Sequence, residues 1–369
     1  MSSLLLLRAS HVNPDPRVAR AVSVAESCGL DVTVVAWDRD GDAPRRARLG
    51  RSLVIRYGRK AAHGRGVANL AALVLFQAYV AAQVLRRRKG LVAIHACDLS
   101  TGFTGLLLAR LLRVPLVYDI FDYFADSFPV PSSALPLVRR VETWVINRAD
   151  VTVLPTATRE QQIRPARPRR LVIVENSPNI RELPAADLPQ TDLAYVGILT
   201  DHRLLLEVVE LVAADTSKSL RIAGFGPLEN HIRALATTAP NIEFLGRIGS
   251  EEALRVQASA RVLFATYDPE IRNHRFSAAN KLSEAMALGK PLIVCRNTAM
   301  DITVQGSGLG AVIDYDIGAF EQALEGLTSD ARVLDDCALR GPELYRERYS
   351  WKVSAARLAD VYRGVGARS

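Results

Sequence analysis

The chain has 369 residues, which is more than one ordinary hydrophobic core requires, so two domains are expected. An apolar content of 49% excludes a disordered chain, and a net charge of +8 favours anionic partners: nucleotide phosphates, nucleic acid or an anionic membrane surface. The four cysteines form no CxxC pair and no zinc-like spacing with histidine. They predict buried thiols in a reducing cytosol and no metal site.

The first half of the chain alternates predicted strands and helices. LLLLRAS predicts the first strand, and Asp15 and Pro16 suit the N-cap and first position of the helix after it. Further strands are predicted, with helices between most of them, by DVTVVAW, LVIRYG, LVAIHACD, the start of PLVYDIFDYFADSF, VTVLP and RLVIVENSP. This alternation predicts a parallel, doubly wound sheet.

The turn after the first strand holds Pro14 and Pro16 and no glycine. A dinucleotide-binding domain needs glycine in this turn, because only glycine lets backbone N–H groups close on a pyrophosphate. The first domain therefore lacks the turn that would hold a dinucleotide.

The uncharged segment 67–85 is followed by RRRK and is nearly long enough to span a bilayer. Its polar residues fall on one side of a helix, so a helix packed on the sheet is the first interpretation. A helix docked on a membrane surface, with RRRK at the lipid headgroups, is the second. A membrane span is the third.

A change of composition at residues 179–192 predicts a linker, because the segment is polar, holds two prolines and lacks periodicity. The alternation of strands and helices then resumes. We therefore predict one doubly wound domain over residues 1–178, a second over 193–348, and a separate C-terminal helix over 349–369. Two such domains facing a cleft place ligands at the carboxyl ends of their strands.

The segment NKLSEAMALGKPLIV, residues 280–294, carries the strongest functional signal. Lys281 lies in the first turn of a predicted helix, where free N–H groups and the helix dipole favour an anion. Glu284, one turn later, can accept two hydrogen bonds from the vicinal hydroxyls of a ribose. The alternative is an ordinary surface helix with both side chains solvated.

This segment resembles the end of the E-x7-E region of glycosyltransferase family 4. Further resemblances follow in the order typical of that family: DPRVAR, HACDLSTGFTGLLLARLL, VYDIFDYFADSFP, RADVTVLPTATREQQI, VIVENSPN, AYVGILTDHRLLLEVVELV, LRIAGFGPLENHIRAL and NIEFLGRI. The resemblance implies a GT-B fold of two Rossmann-like domains, with the sugar nucleotide held mainly by the C-terminal one. It also implies that the terminal helix crosses back to the first domain.

The resemblance assigns most donor contacts to the second domain. Lys281, Arg203 and the backbone N–H groups near Ala279 and Asn280 are expected on the diphosphate, and Glu284 on the nucleotide ribose. Gly197, Gly224 and Gly226 are expected in turns near the donor, and Arg247 and Ile248 beside the base; these are five further donor-side positions.

The sequence departs from the family pattern at four places. Phe276 stands where the first glutamate of the motif is expected, and Cys97 stands where a second histidine usually lies near the transferred sugar. Leu204 replaces the usual glycine after the phosphate-binding cation, and Ile198 replaces an arginine often found next to the first glycine, here Gly197.

In the first domain, Asp98 ends a predicted strand and is expected to accept hydrogen bonds from a sugar hydroxyl. Asp119 and Asp122 lie among aromatic residues, which suits stacking on sugar faces; core aromatics with solvated carboxylates are the alternative. Arg17, after the proline-rich turn, is expected to meet an anionic group of donor or acceptor, or else to be solvated. These residues and Cys97 form the predicted acceptor side.

The expected reaction is transfer of a hexosyl unit from a nucleotide diphosphate sugar to a hydroxyl of a glycan, lipid-linked or small-molecule acceptor. The family retains anomeric configuration and needs no metal or other cofactor, and the expected catalytic residues are Arg203, Lys281 and Asp98. A sugar-nucleotide 2-epimerase and a catalytically silent partner subunit remain alternatives. The expected location is the cytoplasm, either free or peripheral at the inner face of the membrane, and nucleic acid is not expected as a partner.

Overall fold

The computed structural model describes residues 2–12, 15–61, 70–128, 130–180, 187–277 and 280–367. Pro14, Ala279 and residues 181–186 of the predicted linker lie outside the described residues. The chain divides into two compact units, Met1–Glu175 with Ser354–Ser369, and Asn176–Val353. The first unit thus ends at Glu175 rather than at residue 178, and it includes most of the last helix.

The described residues of the first unit form an eight-stranded sheet in the order β3-β4-β2-β1-β5-β6-β7-β8. Its strands are β1 Ser3–Arg8, β2 Asp31–Asp38, β3 Arg46–Leu49, β4 Ser52–Gly58, β5 Leu91–Cys97, β6 Leu116–Asp119, β7 Val151–Leu154 and β8 Leu171–Ile173. All neighbours are parallel except β3, which pairs antiparallel with β4 at the edge. We did not predict β3, because its sequence RARL is too polar and too short to show a strand pattern.

Helices cover both faces of this sheet, as a doubly wound domain requires. They are α1 Pro16–Ser27, α2 Leu70–Arg86, α3 Leu99–Leu112, α4 Phe124–Ser127, α5 Leu135–Arg148 and α6 Arg159–Gln162. The Asp15 side chain accepts a hydrogen bond from the backbone N–H of Val18, which confirms it as the N-cap of α1.

Helix α2 packs one face on the sheet and leaves apolar residues on the other. Phe76, Val80 and Val84 are fully buried, and Phe76 stacks on Trp37 with ring centroids 4.9 Å apart. Val74 is 60% exposed and lies on the outer face. No helix within the described ranges is both long and apolar enough to cross a membrane.

In the second unit, a sheet of six described strands has the order β11-β10-β9-β12-β13-β14, all parallel. The strands are β9 Thr191–Ile198, β10 Leu220–Phe225, β11 Ile242–Phe244, β12 Ala260–Ala265, β13 Leu292–Cys295 and β14 Gly310–Ile313. The helices are α7 Leu205–Ala214, α8 Glu229–Thr238, α9 Ser250–Ala258, α10 Asn280–Leu288, α11 Met300–Ser307, α12 Ile317–Ser329, α13 Ala331–Leu344 and α14 Trp351–Gly366. The π-helical turn Tyr345–Tyr349 precedes α14.

Helix α14 belongs mainly to the first unit. The buried Tyr362 hydroxyl lies 2.9 Å from Nδ1 of His95 on β5, and the backbone N–H of Glu175 donates to the Ser354 hydroxyl. The predicted α/β fold class, with two doubly wound sheets and a terminal helix packed on the first, is confirmed.

The order of strands reverses once in each sheet, between β1 and β5 and between β9 and β12. At such a point, the connections after neighbouring strands run to opposite faces of the sheet and leave a crevice outside the carboxyl ends. Each unit therefore offers one position where a ligand is expected.

Candidate functional site

Two strand ends shape the crevice of the second unit. Gly197 near the end of β9 pairs in register with Gly224 on β10. A Cβ atom at Gly224 would overlap the carbonyl oxygen of Gly197, and one at Gly226 would overlap that of Leu199. Close backbone approach therefore requires glycine at both positions. Gly224 lies inside β10 and Gly226 directly after it, and their contact with a donor stays a prediction.

Lys281 and Arg203 meet on a single aromatic side chain, Tyr195 of β9. The Lys281 Nζ atom lies 4.5 Å from the centroid of the Tyr195 ring, and the Arg203 Nη1 atom donates to its hydroxyl at 3.2 Å. The Arg203 guanidinium also stacks on Tyr267 at 4.8 Å. A Cβ atom at Gly197 would lie 2.6 Å from Lys281 Nζ, so the ammonium group lies against the end of β9.

Among the described residues, no carboxylate pairs with these two cations. Neither Lys281 nor Arg203 has a carboxylate within ion-pairing distance among the residues that the structure describes, and the buried Arg203 Nε has no hydrogen-bond partner there. Like charges at one place repel, and a buried donor without an acceptor is costly. An anionic ligand would remove both costs.

Helix α10 places two further predicted residues beside Lys281. Asn280 is the exposed first residue of the helix, and the half-buried Glu284 lies one turn after Lys281. The first turn of α10 therefore presents its free backbone N–H groups next to the Lys281 side chain. Ala279, predicted to contribute an N–H group, lies outside the described residues.

The loop after β9 keeps an unusual backbone without glycine. Leu204 has φ +48° and ψ +20°, the left-handed conformation that glycine adopts without strain. Its N–H donates to the Tyr315 hydroxyl at 3.3 Å, and the Thr266 hydroxyl donates to the Arg203 carbonyl. These bonds and the burial of Leu204 hold the loop, and with it Arg203, in place.

A His–Asp–His cluster, which the sequence analysis missed, follows β12. Asp268 Oδ2 lies 3.1 Å from His202 Nδ1, and the Asp268 carbonyl lies 3.1 Å from His274 Nδ1. Burial lowers the pKa of His274. The position of Asp268 just after a switch-point strand is the signal that could have identified this cluster.

Arg247 and Ile248, predicted beside the base, follow β11. The exposed Arg247 guanidinium stacks on Phe225 at 4.5 Å from the ring centroid. Phe225 ends β10 and is 44% exposed, and Ile248 packs against the core around β12 and β13. Phe225 and Arg247 thus form a flat surface of the kind on which a nucleobase stacks.

In the first unit, Arg17 forms an ion pair with Asp119 and is not a solvated residue. Its Nη2 and Nε atoms donate to the two carboxylate oxygens of Asp119 at 2.6 and 3.3 Å, and Nη1 donates to the Val174 carbonyl. Arg8, at the end of β1, forms ion pairs with Asp98 and Asp15. Both guanidinium groups stack on the ring of Phe121, at 4.1 Å for Arg8 and 4.8 Å for Arg17.

Asp98 is buried and its carboxylate is fully engaged. One oxygen accepts from the backbone N–H groups of Phe121 and Asp122, and the other pairs with Arg8. Burial raises the pKa of Asp98, while Arg8 and the two backbone donors act in the opposite direction. In this arrangement Asp98 positions the loop after β6, and its predicted catalytic contact with a sugar stays a prediction.

The remaining predicted acceptor-side residues differ in solvent exposure. Asp119 is buried between Arg17 and His95, whose Nε2 atom lies 3.4 Å away. Burial raises the pKa of Asp119, but these partners outweigh it and the net shift is downward. Asp122 pairs with Arg159 and its side chain is 49% exposed. Cys97 is fully buried, its thiol pKa is raised by burial, and its acceptor contact stays a prediction.

Glu142, which the sequence analysis also missed, contacts the segment that follows β6 and carries Phe121, Tyr123 and Phe124. It is buried on α5 and accepts from the Tyr118 hydroxyl at 3.3 Å and from the Phe124 N–H at 3.2 Å. Burial raises the pKa of Glu142 to about 8. A carboxyl group that anchors the loop therefore titrates close to neutral pH.

Comparison with known proteins identifies the family. Residues 14–177 match the family model described as a glycosyl transferase 4-like domain, and residues 190–330 match the model for glycosyl transferases group 1. No curated protein matches the chain.

Several solved structures share the fold over the whole chain. Sucrose-phosphate synthase from Thermosynechococcus elongatus superposes with a TM-score of 0.80 at 17% identity, covering 100% of both chains. HepE from Anabaena in complex with UDP-glucose gives 0.70 at 15% identity, covering 99% of this chain and 100% of the other. WaaG, a glycosyltransferase involved in lipopolysaccharide biosynthesis, gives 0.69 at 15% identity with coverage of 99% and 100%. Because the two family models together span most of the sequence, the chain belongs to the family 4 glycosyltransferases of GT-B fold.

Proposed function

We propose that this protein transfers a hexosyl unit from a nucleotide diphosphate sugar to a hydroxyl group, with retention of anomeric configuration. The observation that carries the proposal is the pair of cations on Tyr195. Lys281 and Arg203 converge at a strand switch point with no counter-charge from the described residues. A diphosphate supplies the missing charge, and HepE, a structural neighbour, is known in complex with UDP-glucose.

The chemistry follows from charge. As the glycosidic bond breaks, negative charge develops on the diphosphate and positive charge on the sugar ring. Lys281, Arg203 and the first turn of α10 stabilise the leaving diphosphate, and fixed cations do so without reorganisation. Glu284 accepts from the ribose hydroxyls, and the base lies beside Arg247 and Ile248.

We assign no general base from the protein. Asp98, the nearest candidate by sequence, has both oxygens engaged by Arg8 and backbone N–H groups. The departing diphosphate oxygen therefore takes the proton of the acceptor hydroxyl. We propose that the cations replace a metal ion, so EDTA is expected to leave turnover unchanged; loss of turnover restored by Mg²⁺ would contradict this.

We assign the acceptor to the first unit. The half-exposed Asp122 can accept from a hydroxyl group, whereas Asp119 and Arg17 hold each other beneath Phe121. Aromatic rings continue along this loop, where Phe124 stacks on Phe128 at 4.5 Å. Aromatic faces beside a carboxylate suit a glycan, such as the acceptors of polysaccharide biosynthesis.

We further propose that the protein works at the cytoplasmic face of an anionic membrane. Helix α2 exposes Val74 and Leu75 on its outer face and Leu85 near its end. Its last residue, Arg86, begins the basic run that continues to Lys89. Apolar side chains beside basic ones are typical of peripheral membrane helices. Flotation with vesicles containing phosphatidylglycerol tests this; no binding at low salt would contradict it.

The donor site is tested by a screen and a turnover assay. UDP, GDP, ADP, CDP and dTDP are added to the protein, and the one that fits the site is expected to raise the melting temperature. The corresponding glucose or galactose nucleotides are then incubated with the enzyme, and release of the nucleoside diphosphate is measured. The proposal fails if no nucleotide binds, or if binding and release survive replacement of both Lys281 and Arg203 by alanine. Appearance of an epimerised sugar nucleotide without an acceptor would favour the epimerase alternative.

A further inference from the structure

The first unit contains a basic pocket at one edge of its sheet. It lies between strands β3 and β4 and the second half of α2, and its volume is about 510 Å³. Its lining is dominated by arginine, with one isoleucine, one tyrosine and one glutamine: Arg45, Arg46, Arg56, Arg86, Arg87, Ile55, Tyr79 and Gln83.

Part of this lining is rigid. Arg56 is nearly buried, and its guanidinium donates to the carbonyls of His11 at 2.7 Å and Pro44 at 3.0 Å. Arg87 donates to the side-chain oxygen of the buried Gln83 at 2.5 Å. These bonds fix two of the guanidinium groups before any ligand arrives, which lowers the entropy cost of binding.

The residues that line the pocket, all within the described part of the chain, include five arginines and neither aspartate nor glutamate. None of Arg45, Arg46, Arg86 and Arg87 has a carboxylate within ion-pairing distance in the described part of the chain, and Arg56 bonds only to carbonyls there. Burial lowers the pKa of Arg87, and the charges of Arg46 and Arg86 act in the same direction. By contrast, the arginines of the acceptor side, such as Arg17, pair with aspartates. The fold therefore collects like charges from two distant segments and leaves them unneutralised.

We propose that this pocket binds a phosphate-bearing ligand with at least two negative charges. Guanidinium groups match phosphate oxygens in charge and geometry, and the Tyr79 hydroxyl and Gln83 amide add further polar groups to the walls. The volume exceeds what one phosphate fills and lies in the range of small-ligand pockets. The ligand comes either from solution, as a phosphate ester, or from the headgroups of a bilayer. The proposal does not depend on glycosyl transfer.

The test measures binding of inorganic pyrophosphate by calorimetry. Because the candidate donor site also attracts diphosphate, all proteins carry Lys281→Ala and Arg203→Ala. In this background, Arg46→Ala with Arg86→Ala is expected to weaken binding roughly 10- to 100-fold, the effect of losing charge-assisted contacts. The matched control, Arg48→Ala with Arg88→Ala, removes the same charge at positions two residues after Arg46 and Arg86 that do not line the pocket, and it is expected to change binding less than about twofold.

Equal weakening by both pairs would overturn the proposal, because it would show a diffuse surface charge and not a site. Absence of pyrophosphate binding together with absence of vesicle binding would overturn it as well. Vesicles containing phosphatidylglycerol distinguish the two sources: vesicle binding that needs Arg46 and Arg86, but not the control pair, identifies a lipid headgroup. Pyrophosphate binding without vesicle binding identifies a soluble ligand.

A second measurement uses the protein without pocket substitutions. It therefore tests the proposal even if the variant with Arg46→Ala and Arg86→Ala does not fold. Phenylglyoxal modifies accessible arginines, and mass spectrometry reports the rate at each residue. Pyrophosphate is expected to slow modification of Arg46 and Arg86 and to leave Arg48 and Arg88 unaffected. The same measurement is repeated with phosphatidylglycerol vesicles, and rates at Arg46 and Arg86 that neither pyrophosphate nor the vesicles change would overturn the proposal.

Discussion

Replacing Lys281 by methionine is expected to leave the free energy of unfolding of the ligand-free protein nearly unchanged and to weaken diphosphate binding. The Lys281 Nζ atom lies 4.5 Å from the Tyr195 ring centroid, and Arg203 Nη1 lies 3.2 Å from the hydroxyl of the same ring, so the two charges are at most about 10 Å apart. At a separation of about 10 Å their repulsion is about 0.4 kcal/mol in water and about 1.7 kcal/mol at the effective dielectric of a protein surface. The lost cation–π contact is about 0.5–1 kcal/mol in the other direction. The free energy of unfolding without ligand should change by less than about 1 kcal/mol.

The ligand-bound protein should respond strongly to the same change. A hydrogen bond to a charged group contributes about 1.5–3 kcal/mol, so losing it weakens diphosphate binding roughly 10- to 150-fold. At a ligand concentration 100-fold above the dissociation constant, the unaltered protein gains about 2.7 kcal/mol of stability. The variant should then gain only about 1.3 to 0.3 kcal/mol at that concentration.

Urea denaturation with and without the nucleoside diphosphate chosen by the screen measures both quantities. Lys352→Met is the matched control, because Lys352 is an exposed lysine of the same unit. It should change neither the stability nor the gain from ligand. The reasoning is refuted if Lys281→Met retains the full ligand-induced gain, or if it destabilises the ligand-free protein by several kcal/mol.

Three further changes test the arrangement around the candidate sites. Burial raises the pKa of Glu142 in the folded protein to about 8 from a usual 4.5, so the free energy of unfolding should fall as pH rises between these values, by up to about 1.4 kcal/mol per pH unit. Glu142→Gln should flatten this pH dependence in urea titrations at several pH values. An unchanged slope in the variant would contradict the raised pKa of Glu142. Gly224→Ala should lower the free energy of unfolding by at least about 2 kcal/mol, because its Cβ meets the Gly197 carbonyl, whereas Gly249→Ala, with open space around it, should change it little. Asp119→Asn removes the carboxylate that accepts two hydrogen bonds from Arg17 and should lower the free energy of unfolding by about 3 kcal/mol in the same assay. A loss below about 1 kcal/mol would show that the Arg17–Asp119 ion pair contributes little to stability.

Most of the fold could be predicted from sequence, because parallel buried strands appear as short Val- and Ile-rich runs. The missed elements lack that signal. Strand β3 is an edge strand of four residues with two exposed arginines, so its pairing with β4 shows only in three dimensions. Helices α12 and α13 follow the last predicted strand, and their N-caps, Asp316 and Asp330, were available as local signals that we did not use.

The sequence allowed us to name candidate donor-site residues, but it did not show which of them contact one another in the fold. The helix carrying Lys281 and the glycines at strand ends follow from local chemistry and from the family resemblance. Tyr195, which brings Lys281 and Arg203 together, gave no signal, because a tyrosine inside a strand is typical of core packing. The partners of Arg17 and Arg8, Asp119 and Asp98, are likewise distant in sequence and come close only at the strand ends of the folded sheet. Hydrophobic periodicity therefore could not identify these ion pairs.

The departures from the family pattern fall into two physical kinds. Leu204 replaces glycine but keeps the left-handed backbone, at a strain cost of about 1–2 kcal/mol that burial of its side chain in the core offsets. The left-handed backbone of the loop that carries Arg203 is therefore kept without glycine. Phe276 and Cys97 instead change the chemistry available at positions where the family usually places sugar-facing polar groups, an acid and an imidazole. If Lys281 and Arg203 bind the diphosphate as proposed, the residues that depart from the family pattern are those expected near the transferred sugar, so a donor screen should vary the sugar as widely as the base.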